Sequence, residues 1–216
     1  MQALPNNATD HGRIAALIWG IADDVLRDLY VRGKYRDVIL PFTVLRRLDS
    51  VLGPTRDAVM AMKKMLDDAG IADQDAPLRD AAKQDFYNTS GFSLQDLRHV
   101  SNSTRLRQNF EAYLDGFSPN VQEIIDNFEF RNQLPRLTKA DALGALIEKF
   151  LAPDLDLSPR GLDNHGMGTV FEELVRRFNE ENNEEAGEHW TPRDAVRLMT
   201  RLMFEPIADQ IPSGTY

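Results

Sequence analysis

The sequence has no cysteine, so no disulfide framework and no thiolate metal site can be built from it. It has no apolar run of 18 residues, which excludes a hydrophobic membrane-spanning helix of the usual length. The N-terminus, Met1 to Asn7, lacks the basic and then apolar pattern of a secretory signal. These absences point to the cytoplasm. Basic charge is also scarce: the formal net charge is −9 over 216 residues. An acidic total argues against a dedicated nucleic-acid binder, because neutralising phosphates takes an excess of Lys and Arg, although a local basic patch stays possible. Sustained period-2 alternation is missing, which leaves no basis for a large sheet. Several catalytic signatures are absent too. There is no G-x-x-x-x-G-K-[ST] phosphate loop and no G-x-S-x-G elbow. The four histidines His11, His99, His165 and His189 form no H-x-x-x-H pair, so no metal site is expected. No grouped catalytic residues are found.

What is there is helical periodicity, in a chain that is 42% hydrophobic and long enough for a sizeable core. Ile14, Leu17, Ile18, Ile21, Val25 and Leu29 share one helix face, with Asp10 as the expected N-cap and Gly33 as the expected stop. A second helix is expected from Tyr35 to Leu52, with Pro41 in a first turn or at a kink, and Gly53-Pro54 ending it. A third covers Thr55 to Ala69 and closes at Gly70. Residues 71 to 92 read as a loop with a short extended piece at Asp85-Phe86-Tyr87. Helices resume at Ser93 to His99, Ser103 to Leu114 and Asn120 to Asn127. Thr138 and Asp141 form a T-x-x-D cap ahead of Ala142 to Leu151. A connector runs from Ala152 to Gly161, Phe171 to Phe178 marks another helix, and Pro192 to Met203 is the last. The expectation is an all-α fold of eight or so helices, with no internal repeat and no low-complexity tract.

Several charged or glycine-bearing features admit two readings. Arg46-Arg47 is either the solvated end of an amphipathic helix or a contact for DNA or a partner. Arg193, Arg197 and Arg201 recur every four residues on one helix face. That stripe could meet phosphate, or pair with the acidic run from Glu180 to Glu185, which is the favoured reading. The acidic run itself reads as a solvated helix end or loop. Gly166-Met167-Gly168 has no preceding strand and reads as a turn before a helix.

The segment Gly187-Glu188-His189-Trp190-Thr191-Pro192-Arg193 stands out. Thr191 suits an N-cap, Pro192 the first helical position, and Asp194 the third, where it could close a capping box. Such a helix terminus, with free N–H groups and the positive end of the dipole, suits a carboxylate or phosphate. On spacing alone, a well-capped helix with a buried Trp190 is the simpler account. The pattern, however, resembles the opening of the methyltransferase domain in amino-methylating DNA methyltransferases, and most closely the modification subunit of type I restriction-modification systems. His189 and Trp190 stand where that family usually has two aromatic or hydrophobic residues. Two further segments resemble the same family in the same order. One comprises Leu17-Ile18-Trp19 and then Tyr35 through Asp49, with its Leu45-Arg46-Arg47-Leu48. The other is Gly166 through Val175.

The resemblance implies a helical N-terminal domain over 1–160, followed over 161–216 by a lead-in and the first helix of a Rossmann-like methyltransferase domain. It implies that Glu188, His189, Trp190, Thr191, Pro192 and Arg193 flank the methionine part of S-adenosyl-L-methionine. The implied partners are DNA and the specificity and restriction subunits of the same system, and the implied chemistry is methylation of adenine N6. No D-P-x-x-G-x-G-G loop and no N-P-P-[Tyr/Phe] loop occurs in the sequence, so the chain is expected to be the N-terminal portion of such a subunit and inactive alone. The competing expectation is a structural helical interaction module with no enzymatic role.

Overall fold

The computed structural model describes residues 7–182 and 193–210. Among them the regular structure is helical. The eleven α-helices are α1 (Asn7–Leu26), α2 (Arg36–Leu52), α3 (Arg56–Asp68), α4 (Asp75–Ala82), α5 (Leu94–Arg98), α6 (Ser103–Asp115), α7 (Pro119–Asn127), α8 (Leu134–Lys139), α9 (Ala142–Phe150), α10 (Asn164–Glu181) and α11 (Arg193–Phe204). Four 3-10 turns join some of them. The all-α expectation holds, with more and shorter helices than the periodicity suggested. None is long and apolar enough to cross a membrane.

Local chemistry accounts for several boundaries. Gly70 closes α3 at φ +67°, a conformation that costs glycine little. Ser93 caps α5 in a reciprocal box with Asp96. Asn102 caps α6 by accepting from the Arg105 N–H, and Asp163 caps α10 by accepting from the Gly166 N–H.

Other boundaries correct the sequence reading. Asp10 lies inside α1 rather than at its cap, since nothing from Asn7 onward breaks a helix. Gly33 does not stop α1, which ends at Leu26. It sits in a 3-10 turn, Arg32–Lys34, where the Asn182 side chain packs so closely that a Cβ would overlap its Oδ1. Pro41 lies past the first turn of α2, and the helix continues to Leu52 without the one bond proline cannot make.

Residues 71–92 are not all loop. Helix α4 forms with Pro77 in its first turn, where a missing N–H is tolerated, and buries Leu78 and Ala82. The extended piece survives as one isolated antiparallel bridge, Asn88 with Phe117. Thr138 is not a cap. It belongs to α8 and donates its hydroxyl to the Leu134 carbonyl, while Asp141 starts α9 in the left-handed region with no side-chain cap. Gly166-Met167-Gly168 lies within α10, not before it. Gly166 is needed there because a Cβ would come within 2.7 Å of His11 and Leu162.

The core runs continuously from α1 to α10. Its centre is aromatic. Phe42 of α2 lies 6.0 Å from Phe110, 6.1 Å from Phe130 and 4.8 Å from Phe150, ring centre to ring centre. Tyr113 joins through Phe110, and Phe117 through Tyr113. Phe42, Phe110, Phe130 and Phe150 are fully buried, so each adds apolar burial and the favourable geometry of tilted rings. Helix α1 makes its most extensive helix contact with α10, far along the chain, and Trp19 lies 5.0 Å from Phe178 across that contact. Phe42→Ala is expected to destabilise the chain by about 3–5 kcal/mol, the usual cost of emptying a buried phenylalanine site. Chemical denaturation would measure it, and a loss below about 1 kcal/mol would show that the cluster is not the centre of the core.

Candidate functional site

Helix α2 turns a mixed face inward. Val38, Ile39, Phe42 and Leu45 supply its apolar part. Thr43 and Arg47, one turn apart, supply a buried polar stripe. Thr43 satisfies its hydroxyl locally by donating to the Ile39 carbonyl at 2.7 Å. Arg47 cannot do so, because a guanidinium carries five N–H donors and must find acceptors elsewhere.

It finds them more than a hundred residues away. Arg47 Nη1 donates to the Leu157 carbonyl at 2.9 Å and to the Leu162 carbonyl at 2.6 Å. Its Nη2 donates to Asn164 Oδ1 at 2.7 Å. The three acceptors bracket the start of α10. Burial pushes the Arg47 pKa down from the usual guanidinium value, and Asp163 and Asp156 nearby oppose that shift. The connector is shaped for this grip. Leu155, Leu157 and Leu162 are buried. Asp156 accepts from the Ser158 N–H at 2.9 Å, and Gly161 passes so close to the Asp156 carboxylate that a side chain there would overlap it.

Arg46 performs a related task on the neighbouring face. Its Nε donates to the Phe150 carbonyl at 3.0 Å, at the C-terminus of α9, where a cation also complements the helix dipole. Its Nη1 donates to Ser50. The two arginines are therefore neither a solvated helix end nor a DNA contact through Arg47. They are internal clasps, one on the end of α9 and one on the connector and α10.

A third polar group on α2, Asp49, is largely desolvated. Its Oδ1 accepts from the Leu94 N–H at 3.2 Å and from the Tyr113 hydroxyl at 3.3 Å. Burial raises its pKa above the usual carboxylate value, against the pull of those hydrogen bonds and of Arg46 and Arg56. The Tyr113 hydroxyl is held well above its ordinary value by the same burial and by Asp49.

The expected cofactor-edge residues Glu188, His189, Trp190, Thr191 and Pro192 lie outside the described residues. Arg193 is the first described residue of α11, and its side chain also lies outside the described set. The arginine stripe does not pair with the acidic run where both can be followed. Arg201 reaches Glu205 at 3.5 Å. Glu180 pairs with Arg176, and Glu181 lies 3.7 Å from Arg32. These partners are one helical turn away or across a packed contact, and so win over a more distant stripe. Along α11 and just after it, Leu198, Met199, Leu202, Met203, Phe204 and Ile207 are exposed. Among the described residues no three His, Asp or Glu side chains gather as a metal site.

Comparison with known families places the chain. Residues 14–150 match the model described as the HsdM N-terminal domain, and the chain belongs to this family: it carries the N-terminal region of a type I restriction-modification DNA methyltransferase modification subunit. Residues 162–212 match the N-6 DNA Methylase model, and together the two matches mark the chain as part of a DNA methyltransferase. No curated protein and no solved structure matches the chain. The gap between the two matched stretches, 151–161, is the connector held by Arg47.

Arg47→Met keeps the stem but removes three charge-assisted hydrogen bonds and leaves two buried carbonyls without a donor. It is expected to cost about 3 kcal/mol, or about 6–12 °C in Tm by thermal melting. A change within about 2 °C would mean that water replaces the guanidinium without loss. Asp49 gives a pH signature. Its folded pKa lies above its unfolded value, so the folded state holds a proton longer on raising pH. The carboxylate thus contributes nothing below the unfolded pKa and an increasing penalty as pH rises through the folded one. Asp49→Asn, which keeps an acceptor for Leu94 and Tyr113, is expected to gain stability relative to the wild type as pH rises from about 4 to 8. A difference that is flat or falls with pH would contradict the assigned burial.

Proposed function

We propose that the chain serves a site-specific DNA adenine-N6 methyltransferase of a type I restriction-modification system. In this reading the helical body contacts DNA and the specificity subunit, the restriction subunit of the same system docks on the assembly, and the complex works in the cytoplasm. The segment Glu188, His189, Trp190, Thr191, Pro192 and Arg193 forms one edge of the S-adenosyl-L-methionine site. The division near residue 160 then separates a recognition and assembly module from the lead-in to the methyltransferase module.

The observation that carries the reading is α11. Its described residues, Arg193–Phe204, follow the Thr-Pro pair directly in the sequence, and Leu198, Met199, Leu202, Met203 and Phe204 on it are exposed. The N-terminus of such a helix offers free N–H groups and partial positive charge, which fits the carboxylate of a methionine moiety. Its apolar face fits the first helix of a Rossmann-like methyltransferase layer, which needs a sheet to pack against. The bound group supplies the electrophilic methyl. The part of this chain is to hold the methionine end at the start of α11.

Two outcomes test this. Residues 1–216 alone are expected to incorporate no labelled methyl into DNA and to bind S-adenosylmethionine weakly, because no Asn-Pro-Pro loop is present to hold an extruded adenine. Micromolar binding in a calorimetric titration would contradict that. In the intact modification subunit, Thr191→Ala or Trp190→Ala is expected to raise the KM for the methyl donor about ten-fold, the scale of one lost hydrogen bond or ring contact. DNA affinity should be unchanged. An unaltered KM would remove the segment from the cofactor site.

A further inference from the structure

Among the described residues, one cleft has the makings of a ligand site. It lies on the far side of α2 from the Arg47 clasp, where α2, α3, α5 and α6 meet the turn around Phe92. Its volume is about 320 Å³, at the small end of the roughly 300–1,000 Å³ typical of ligand clefts. Its walls are apolar and partly aromatic, with Leu52, Val59, Phe92, Phe117 and Leu151.

Three charged groups line it with different degrees of satisfaction. Arg56 is paired, since its Nη2 lies 2.8 Å from Asp96. Arg46 donates to the Phe150 carbonyl and to Ser50, and among the described residues no carboxylate forms a close ion pair with it; Asp49 and Asp156 act on its charge only at longer range. Asp49 uses Oδ1 for both of its bonds, to Leu94 and Tyr113, and nothing among the described residues donates to Oδ2. Water in the cleft supplies the donor to that oxygen, and a ligand N–H would take its place. Oδ2 is also not among the atoms sealed from solvent, so a molecule in the cleft can reach it. Asn88 and Gln95 add amide groups at the edge.

A ligand that satisfies all of these has a flat apolar body, an N–H edge and an anionic group. We propose that this cleft binds a nucleoside monophosphate unit, with the N–H edge of the base on Asp49 Oδ2, the ring between the apolar walls, and the phosphate toward Arg46. A lone cation would answer Asp49 but face Arg46 and Arg56. A lone phosphate would answer Arg46 but leave Asp49 and the apolar walls unused. The proposal does not rest on the segment at 188–193.

The test is titration of the 216-residue chain, followed by NMR, with AMP, GMP, CMP and dTMP, and with inorganic phosphate and the unphosphorylated nucleosides as controls. At least one nucleotide is expected to saturate with a Kd of about 1 mM or tighter. Amide shifts should centre on Leu52, Gly53 and Leu94. The matching nucleoside and phosphate alone should each bind about ten-fold more weakly or worse, since each keeps only part of the contacts. Two variants separate binding from folding. Asp49→Asn presents an amide where Oδ2 was and should change which base binds best. Gly53→Leu adds bulk at a cleft-lining position whose Cβ meets open space and whose φ is −45°, so it should fold normally and block binding. The proposal is overturned if no nucleotide saturates, if phosphate alone binds as tightly, or if Gly53→Leu leaves the affinity unchanged.

Discussion

The Arg47 guanidinium is the point on which the arrangement of this chain turns. A charged side chain on the inward face of α2 can be tolerated only where acceptors are supplied in the right places, because an unpaired buried donor costs more than a well-made bond contributes. The Leu157 and Leu162 carbonyls and Asn164 Oδ1 supply them. The same three bonds fix where the connector runs and where α10 begins. Asp163 then caps α10, Gly166 lets it approach His11, and Phe178 reaches Trp19 of α1. The connector between the two family matches is thereby part of the packed body, with Leu155 and Leu157 buried and the Leu157 carbonyl, Asp156 and Ser158 hydrogen-bonded.

The aromatic cluster and the clasp divide the work. Phe42, Phe110, Phe130 and Phe150 hold α2, α6, α9 and the turn before α8 together through burial without strong directional demands. The arginines add direction: Arg46 picks out the end of α9, and Arg47 the start of α10. Nonpolar packing alone would accept several helix arrangements of similar burial, whereas a guanidinium that must meet two named carbonyls accepts one. For a methyltransferase subunit this carries a functional consequence. The segment leading toward α11 leaves a helix whose position is set by the same α2 that anchors the core.

Much of this was legible in the sequence, and the unreadable parts have physical reasons. Periodicity gave the buried face of α1 through Ile14, Ile18 and Ile21, and capping chemistry gave α5 and the end of α3 at Gly70. Helices α4 and α8 were missed because each is short, begins with a proline in its first turn and buries only two residues. Thr138 looked like a cap because a hydroxyl before an apolar run usually is one, but α8 had already made it helical. The arginine pair was misread for a deeper reason. Spacing tells which face of α2 Arg47 occupies, but not that carbonyls 110 and 115 residues later lie opposite that face. Thr43, a polar residue one turn before Arg47 on the same face, was the one available hint of a buried polar stripe. Of the expected cofactor edge, only the start of α11 at Arg193 falls among the described residues. The Asp49 cleft had no motif, since its walls come from four separate stretches of chain.

Native-state hydrogen exchange tests the central claim most directly. If the clasp makes α10 part of one cooperative unit with α1 and α2, the slowest amides of all three should open with a common free energy and a common dependence on denaturant. Arg47→Met should lower α10 more than α1. Exchange of α10 through a separate, lower-energy opening in the unmodified chain, with α1 and α2 still protected, would contradict it.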